Sequence, residues 1–373
     1  MGNNQGSTAL HCAATNGHLD VNKYLISQGA EVNQGDNDGW TALQDAAQKG
    51  HLEVAKYLII QGADVNRGDK NGQTALRAAA FNGHLDVTKY LTSEGADVNQ
   101  GDNEDVNKYL ISQGAEVNQG DNDGWTALQD AAQKGHLEVA KYLIIQGADV
   151  NRGDKNGRTA LRAAAFNGHL DVTKYLTSEG ADVNQGDNEV EVNQGDNEGW
   201  TALQDAAQKG HLEVAKYLII QGADVNRGDK NGRTALRAAA FNGHLDVTKY
   251  LTSEGADVNQ GDNEAYAHKG DDKGFTALQV AAKEGHLDIT KYLISQGAKS
   301  TGILDQRDDD GKTAIHLATQ NDHTPVVESL VSHGASLNIQ SHNGKTCLHE
   351  AIILSGHKGE KEQTEGKLKQ RRL

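Results

Sequence analysis

The sequence predicts an all-α solenoid of short helix–turn–helix units, stacked side by side, with a projecting β-turn between each unit and the next. Three observations carry this. A glycine two residues before a Thr-Ala-Leu or similar triplet recurs with a spacing of 33 at Gly6, Gly39 and Gly72, and the frame returns at Gly124, Gly157, Gly199, Gly232, Gly274, Gly311 and Gly344. Such a period marks a repeat array rather than a domain with one core. Apolar residues make up only 36% of the chain and aromatic residues 5%, which without patterning would argue for disorder. Here they recur in phase, so the low content describes a thin core built many times. Finally, 43 glycines stand against one proline, and they fall at fixed offsets where helices have to stop.

Residues 39–71 show why each part adopts its structure. Thr41 stands where an N-cap belongs, its hydroxyl able to accept from free helix N–H groups. Leu43, Ala46 and Ala47 lie at i, i+3 and i+4, one narrow apolar face, and the alanines let neighbouring helices approach closely. Gly50 ends that helix in the left-handed conformation that glycine adopts most cheaply. Leu52, Val54, Tyr57 and Leu58 supply the face of a second helix, which Gly62 terminates. Ala63 to Asn66 form an extended exit, and Asp69 to Gly72 a turn of the residues turns need. Each helix is shorter than the roughly 12–15 residues needed for stability alone, so a unit folds only against its neighbours.

The pattern G-x-T-A-L-x-x-A-A-x-x-G-H-L-x-V-x-K-Y-L-x-x-x-G-A-D-V-N resembles the ankyrin repeat over nearly the whole chain. The resemblance implies an ankyrin-type solenoid of nine full repeats plus partial ones. It also departs from that family. The family's T-P-L-H reads T-A-L here, and its histidine survives only at His11, His316 and His349; Gln44, Arg77, Gln129, Arg162, Gln204, Arg237 and Gln279 replace it. In the family that histidine hydrogen-bonds adjacent repeats together, so the linkage here is expected to differ or weaken. Asp45, Asp130 and Asp205 each precede an arginine in the next repeat (Arg77, Arg162, Arg237), and a ladder of inter-repeat ion pairs would replace it.

The frame divides the chain into three full repeats over 1–104, a half repeat at 105–123, two repeats at 124–189, an inserted turn loop at 190–198, two repeats at 199–264, a second insertion at 265–273, two repeats at 274–343, and a partial repeat with a basic polar tail at 344–373. Residues 20–104 recur at 105–189 with one change, Gln73 to Arg158, and 116–189 recur at 191–264 with one change, Asp123 to Glu198. Neither offset is a whole number of repeats, so the copying was blind to the structural unit, whether it arose by duplication or in assembling the gene sequence. Nine extra residues at a turn cost little. The half repeat lacks its first helix, and a kink or break is expected there.

A formal net charge of −16 opposes phosphate neutralisation and argues against nucleic-acid binding; it favours basic partners. Two cysteines near opposite ends, Cys12 and Cys347, imply a reducing compartment, the cytoplasm or else the nucleus. No apolar run is long enough to span a bilayer. The histidines of the G-H-L triplets have the period of the repeat and no second ligand at metal spacing, so they read as structural. Gly311-Lys312-Thr313 is not a phosphate loop, because Gln306 stands where that motif needs glycine. No catalytic constellation is present, and neither an enzyme nor a cofactor is expected.

The expected function is protein binding by a monomer, along the concave face that the resemblance assigns to turn tips and first helices. The family's contact positions fall on Trp40, Trp125, Trp200, Phe275, Arg158 and Arg233, after the turn glycine, and on Phe81, Phe166 and Phe241, before the helix-ending glycine. Tryptophan and arginine are the types most enriched in binding hot spots; the opposing reading packs each tryptophan on its neighbouring turn. Two other roles fit the same repeats: the repeat region of a larger signalling enzyme or membrane channel, and a mechanical spacer without a specific partner.

Overall fold

The computed structural model describes residues 5–93, 115–186, 199–261, 274–297 and 302–353. Chain contacts divide it into two units, 1–197 and 198–373. The division falls at the insertion expected over 190–198, which lies outside the described residues, as do the insertion at 265–273 and the tail from 354 onward.

The first unit contains α1 (Ala9–Thr15) and α2 (Leu19–Ser27), α3 (Ala42–Lys49) and α4 (Leu52–Ile60), α5 (Ala75–Asn82) and α6 (Leu85–Thr92), α7 (Ala127–Lys134) and α8 (Leu137–Ile145), and α9 (Ala160–Asn167) and α10 (Leu170–Ser178). The second contains α11 (Ala202–Lys209) and α12 (Leu212–Ile220), α13 (Ala235–Phe241) and α14 (Leu245–Ser253), α15 (Ala277–Glu284) and α16 (Leu287–Gly297), and α17 (Ala314–Gln320) and α18 (Thr324–Ser332). Residues 347–353 begin a further helix. Among the described residues there is no strand; isolated bridges between Gly35 and Thr41 and between Gly120 and Thr126 close the bases of two turns.

In each unit, odd-numbered helices pack on the next odd-numbered helix, even on even, and the two members of a pair on each other. The odd layer is the tighter one, because its contacts are made by alanine: Ala42, Ala46 and Ala47 are fully buried in α3, with Leu43 between them. The second helices differ from the expected face. In α4 the buried residues are Val54, Ala55, Leu58 and Ile59, whereas Leu52 and Tyr57 are only half-buried. Fully buried large side chains come at two leucines per repeat, such as Leu43 with Leu58 and Leu76 with Leu91. Two leucines contribute roughly 3–6 kcal/mol, while ordering a whole repeat costs roughly several tens of kcal/mol of chain entropy. An isolated pair therefore cannot fold.

Three hydrogen-bond ladders tie the repeats. In the first, Gln44 Oε1 accepts from Thr41 N at 2.7 Å and caps α3, while its Nε2 donates to the carbonyl of Gln73 in the next repeat. Gln129 and Gln204 do the same to the carbonyls of Arg158 and Arg233. His11 and His316 make the same link, from Nε2 to the carbonyls of Trp40 at 2.8 Å and Lys345 at 3.2 Å. The expectation of a different or weaker linkage is thus corrected at the glutamines. An amide presents an acceptor and a donor much as imidazole presents two nitrogens.

The second ladder is the histidine of G-H-L. His84 Nε2 donates to the carbonyl of Gln48 at 2.9 Å, and His51, His169 and His244 to those of Thr15, Gln133 and Gln208. Gly50 is required here twice: its φ is 75°, and a Cβ on it would lie 2.6 Å from His84 Nδ1. The third ladder belongs to the asparagine of A-D-V-N. Asn33 donates to the carbonyl of Gly62 at 2.8 Å and accepts from Asp64 N at 2.8 Å; Asn118 repeats both bonds with Gly147 and Asp149.

The half repeat does not open a gap in the stack. Its second-helix sequence, 105–113, lies outside the described residues, but α5 and α7 are in direct contact. Ala115 N donates to the carbonyl of Leu91, as Ala63 N does to that of Leu58 one repeat earlier. His136 donates to the carbonyl of Phe81 over a separation of 55 residues, where the rung of His84 spans 36. The difference, 55 − 36 = 19, is the length of the half repeat. Residues 115–123 thus occupy the exit and turn of the third repeat, the place that 96–104 hold in the sequence frame.

Because Gln129 both caps its helix and joins two repeats, Gln129→Ala is expected to destabilise the fold by about 1–3 kcal/mol, through a buried amide and carbonyl left unpaired. Gln129→His should retain most of that stability. Urea unfolding midpoints of the two variants check the difference.

Candidate functional site

In the first unit, the turn tips and the first helices α3, α5 and α7 enclose a groove of about 390 Å³. Trp40, Gln73, Phe81, Trp125, Asp130 and Arg158 line it, with Arg77 and Asp121 below. Four of the nine predicted contact residues, Trp40, Phe81, Trp125 and Arg158, are brought together here. The walls exist because the turn glycine presents its following residue inward, over the N-terminus of the first helix.

Each tryptophan is fixed by an aspartate five residues later. Trp40 Nε1 donates to Asp45 Oδ1 at 3.2 Å, Trp125 to Asp130 at 2.8 Å and Trp200 to Asp205 at 3.0 Å. The rings are half-buried. Two also carry an arginine of the following repeat: the Arg158 guanidinium lies 5.1 Å from the Trp125 ring and Arg233 5.2 Å from Trp200. Those arginines are anchored beneath by Asp154 and Asp229, with Arg158 Nε to Asp154 Oδ2 at 2.9 Å and Arg233 Nε to Asp229 Oδ2 at 2.6 Å. Packing on the neighbouring turn is therefore part of what these tryptophans do.

Phe81, Phe166 and Phe241 stand at the helix ends and are 39%, 38% and 43% exposed. Lys134 Nζ sits 4.2 Å over the Phe81 ring. Phe275 departs from the set: it is 3% exposed, with Lys283 Nζ 5.5 Å from its ring. A phenylalanine has no N–H to bond an aspartate at the rim, and this one is packed inside instead. It offers no surface for a first contact.

At Arg77 the expected ion pair runs in the other direction. Arg77 does not pair with Asp45 of the preceding repeat. Its Nε donates to Asp130 Oδ2 at 2.8 Å in the following repeat, and its Nη1 to Asp121 Oδ2 at 2.7 Å in the intervening turn. Arg77 and Asp130 are both nearly inaccessible. Burial raises the Asp130 carboxyl above its ordinary pKa of 3.8, and Arg77 opposes that rise. Burial also raises Asp45, opposed first by His11. Among the described residues no cluster of His, Cys, Asp or Glu could hold a metal, and no helix is long and apolar enough to cross a membrane. Cys12 and Cys347 are both free thiols.

Paired short helices, projecting turns and three inter-repeat ladders define a repeat protein of the helical-solenoid class. The comparisons with known proteins specify it further. A family model described as ankyrin repeats (3 copies) matches residues 1–69, 35–102, 99–187, 188–262 and 301–359, and one for the single ankyrin repeat matches 273–309. The chain belongs to the ankyrin-repeat family. Among solved structures, the crystal structure of the human ASB11 ankyrin repeat domain is similar, with a TM-score of 0.54 and 25% identity over 67% of this chain and 99% of that one. No curated protein matches the sequence. Ankyrin repeats are a protein–protein interaction fold, whose extended surfaces come from stacking repeats.

Arg77→Met removes the guanidinium paired with the buried Asp130 carboxylate and is expected to destabilise the fold by about 3 kcal/mol at neutral pH. A carboxyl whose folded pKa lies above 3.8 adds stability below that pH and loses it as pH rises through the raised value. The defect of Arg77→Met should therefore shrink as pH falls toward 4 and Asp130 takes up a proton. Thermal melts of both proteins between those pH values check it.

Proposed function

We propose that this chain is a non-catalytic interaction scaffold that binds another protein, and that in its first unit the partner sits in the groove between α3, α5 and α7. The observation that supports this is the convergence of Trp40, Phe81, Trp125 and Arg158 on one groove of about 390 Å³. Aromatic and arginine side chains with a fixed geometry lose little entropy on binding and make the strongest interface anchors. The groove is also partly built already, since aspartates hold the indoles before any partner arrives. Trp200, Arg233 and Phe241 provide the same types of residue in the second unit. Phe275 drops out of the contact set because it is buried. The two free thiols fit a reducing compartment such as the cytoplasm.

A photo-crosslinking amino acid placed at Phe81 tests this against one placed at Ile60, a half-exposed position on the second-helix layer. A partner should crosslink from 81 and not from 60. Capture should fall about 30-fold in Trp40→Ala and Trp125→Ala proteins of unchanged helicity, as for hot-spot tryptophans. Equal capture from 60, or capture indifferent to both tryptophans, overturns the reading.

A further inference from the structure

The three Trp-bearing repeats, 39–71, 124–156 and 199–231, have the same sequence, but their tryptophans are not covered alike. In two of them the tryptophan is covered by an arginine from the next repeat, Arg158 over Trp125 and Arg233 over Trp200. In the first, the corresponding residue is Gln73, the single difference between residues 20–104 and their copy at 105–189. Everything that holds the arginine is nonetheless present. Trp40 is oriented by Asp45 as Trp125 is by Asp130. Asp69 stands in the turn where Asp154 and Asp229 stand, and its Oδ1 accepts from Asn71 N and Gln73 N at 2.9 and 2.8 Å, as Asp154 Oδ1 does from Asn156 N and Arg158 N.

The second oxygen differs. Asp154 Oδ2 and Asp229 Oδ2 each take a guanidinium, and both side chains are 0% exposed beneath it. Asp69 Oδ2 has no such partner among the described residues, and the residue is half-buried rather than buried. Among the described residues no cation lies over the Trp40 ring. The site is thus an aromatic face beside a carboxylate oxygen, at the edge of the groove that Trp40 and Gln73 line. An aromatic face attracts a cation, and a flat guanidinium satisfies ring and carboxylate together better than a compact ammonium does. Of the other carboxylates that line the groove, Asp121 and Asp130 are already paired with Arg77, and Asp123 is exposed to solvent.

We propose that the space between Trp40 and Asp69 is an arginine-binding pocket, which takes a guanidinium from the bound partner where the sister repeats supply their own. It deepens the groove reading and rests on it for the identity of the ligand as part of a protein. A partner that presents an arginine to this edge also suits a chain of formal net charge −16.

The test uses the full chain labelled with 5-fluorotryptophan, which gives one fluorine resonance for each of the three tryptophans, assigned by single Trp→Phe variants. The probe is N-acetyl-arginine amide. Its addition should shift the Trp40 resonance saturably and leave those of Trp125 and Trp200 in place. The lysine analogue should bind several-fold more weakly. Asp69→Asn keeps the Oδ1 acceptor and removes the charge, and should weaken the response about tenfold. Gln73→Arg should fill the pocket from within and abolish it, with the Trp40 signal moving toward those of the other two. No shift at Trp40, equal shifts at all three, or a full response in Asp69→Asn overturns the proposal. A Trp40 signal that already matches the other two, and is released by Arg371→Gln with Arg372→Gln, also overturns it by making the chain's own tail the occupant. Because the titration needs no partner, its failure leaves the crosslinking test of the groove standing, and failure of that test leaves the pocket standing.

Discussion

The constraint on which the structure depends is that polar side chains of one repeat must reach main-chain carbonyls of a neighbouring one, forward from Gln44 and Asn33 and backward from His84. Helices of seven to eleven residues leave unpaired groups at both ends, and a core of two leucines per repeat cannot hold them in place. Gln44, His84 and Asn33 each close one of these gaps, at three heights along the repeat. The alanines of the odd-numbered helices then have a fixed distance at which to pack, and the groove residues inherit their positions from that spacing.

The binding surface follows from the same economy. At the positions where a repeat carries glutamine or histidine, the side chain is consumed in joining neighbours. Where it carries arginine, that direct link is given up, and Arg77 instead reaches a carboxylate of the following repeat and another in the turn between. The exchange puts Arg77 and its two carboxylates under the turn tips, with the Trp125 ring held on Asp130. A pure structural ladder would have left a flat, neutral surface; the alternation of glutamine and arginine repeats makes a surface with chemical relief.

Much of this was legible in the residues themselves. The 33-residue frame places every helix pair, Thr41 and Gly50 mark the ends of α3, and the G-H-L histidines read correctly as structural. The sequence also puts Trp40, Phe81, Trp125 and Arg158 on one side. Other features depend on partners distant in sequence. Nothing in the pattern distinguishes Asp130 from Asp45 as the mate of Arg77, because that choice depends on which neighbour the arginine leans toward. Gln44 looks like a lost histidine until its amide is seen to make both bonds. The asparagine of A-D-V-N was readable only as a loop residue, though its recurrence in a fixed place was the signal of a ladder. Phe275 shares a position with the tryptophans and not their fate, since position alone does not tell whether a ring has a polar edge to keep at the surface.

The third repeat begins at Gly72 and finishes with residues 115–123, which are nearly the same words as 96–104. A sequence copied out of phase therefore need not ruin the architecture. As long as one intact version of each phrase lies downstream, the stack can select it and resume, and α5 and α7 meet directly. Selection on such a gene does not have to wait for duplications that respect the boundaries of the unit. That widens the set of genetic accidents from which a longer binding surface can grow.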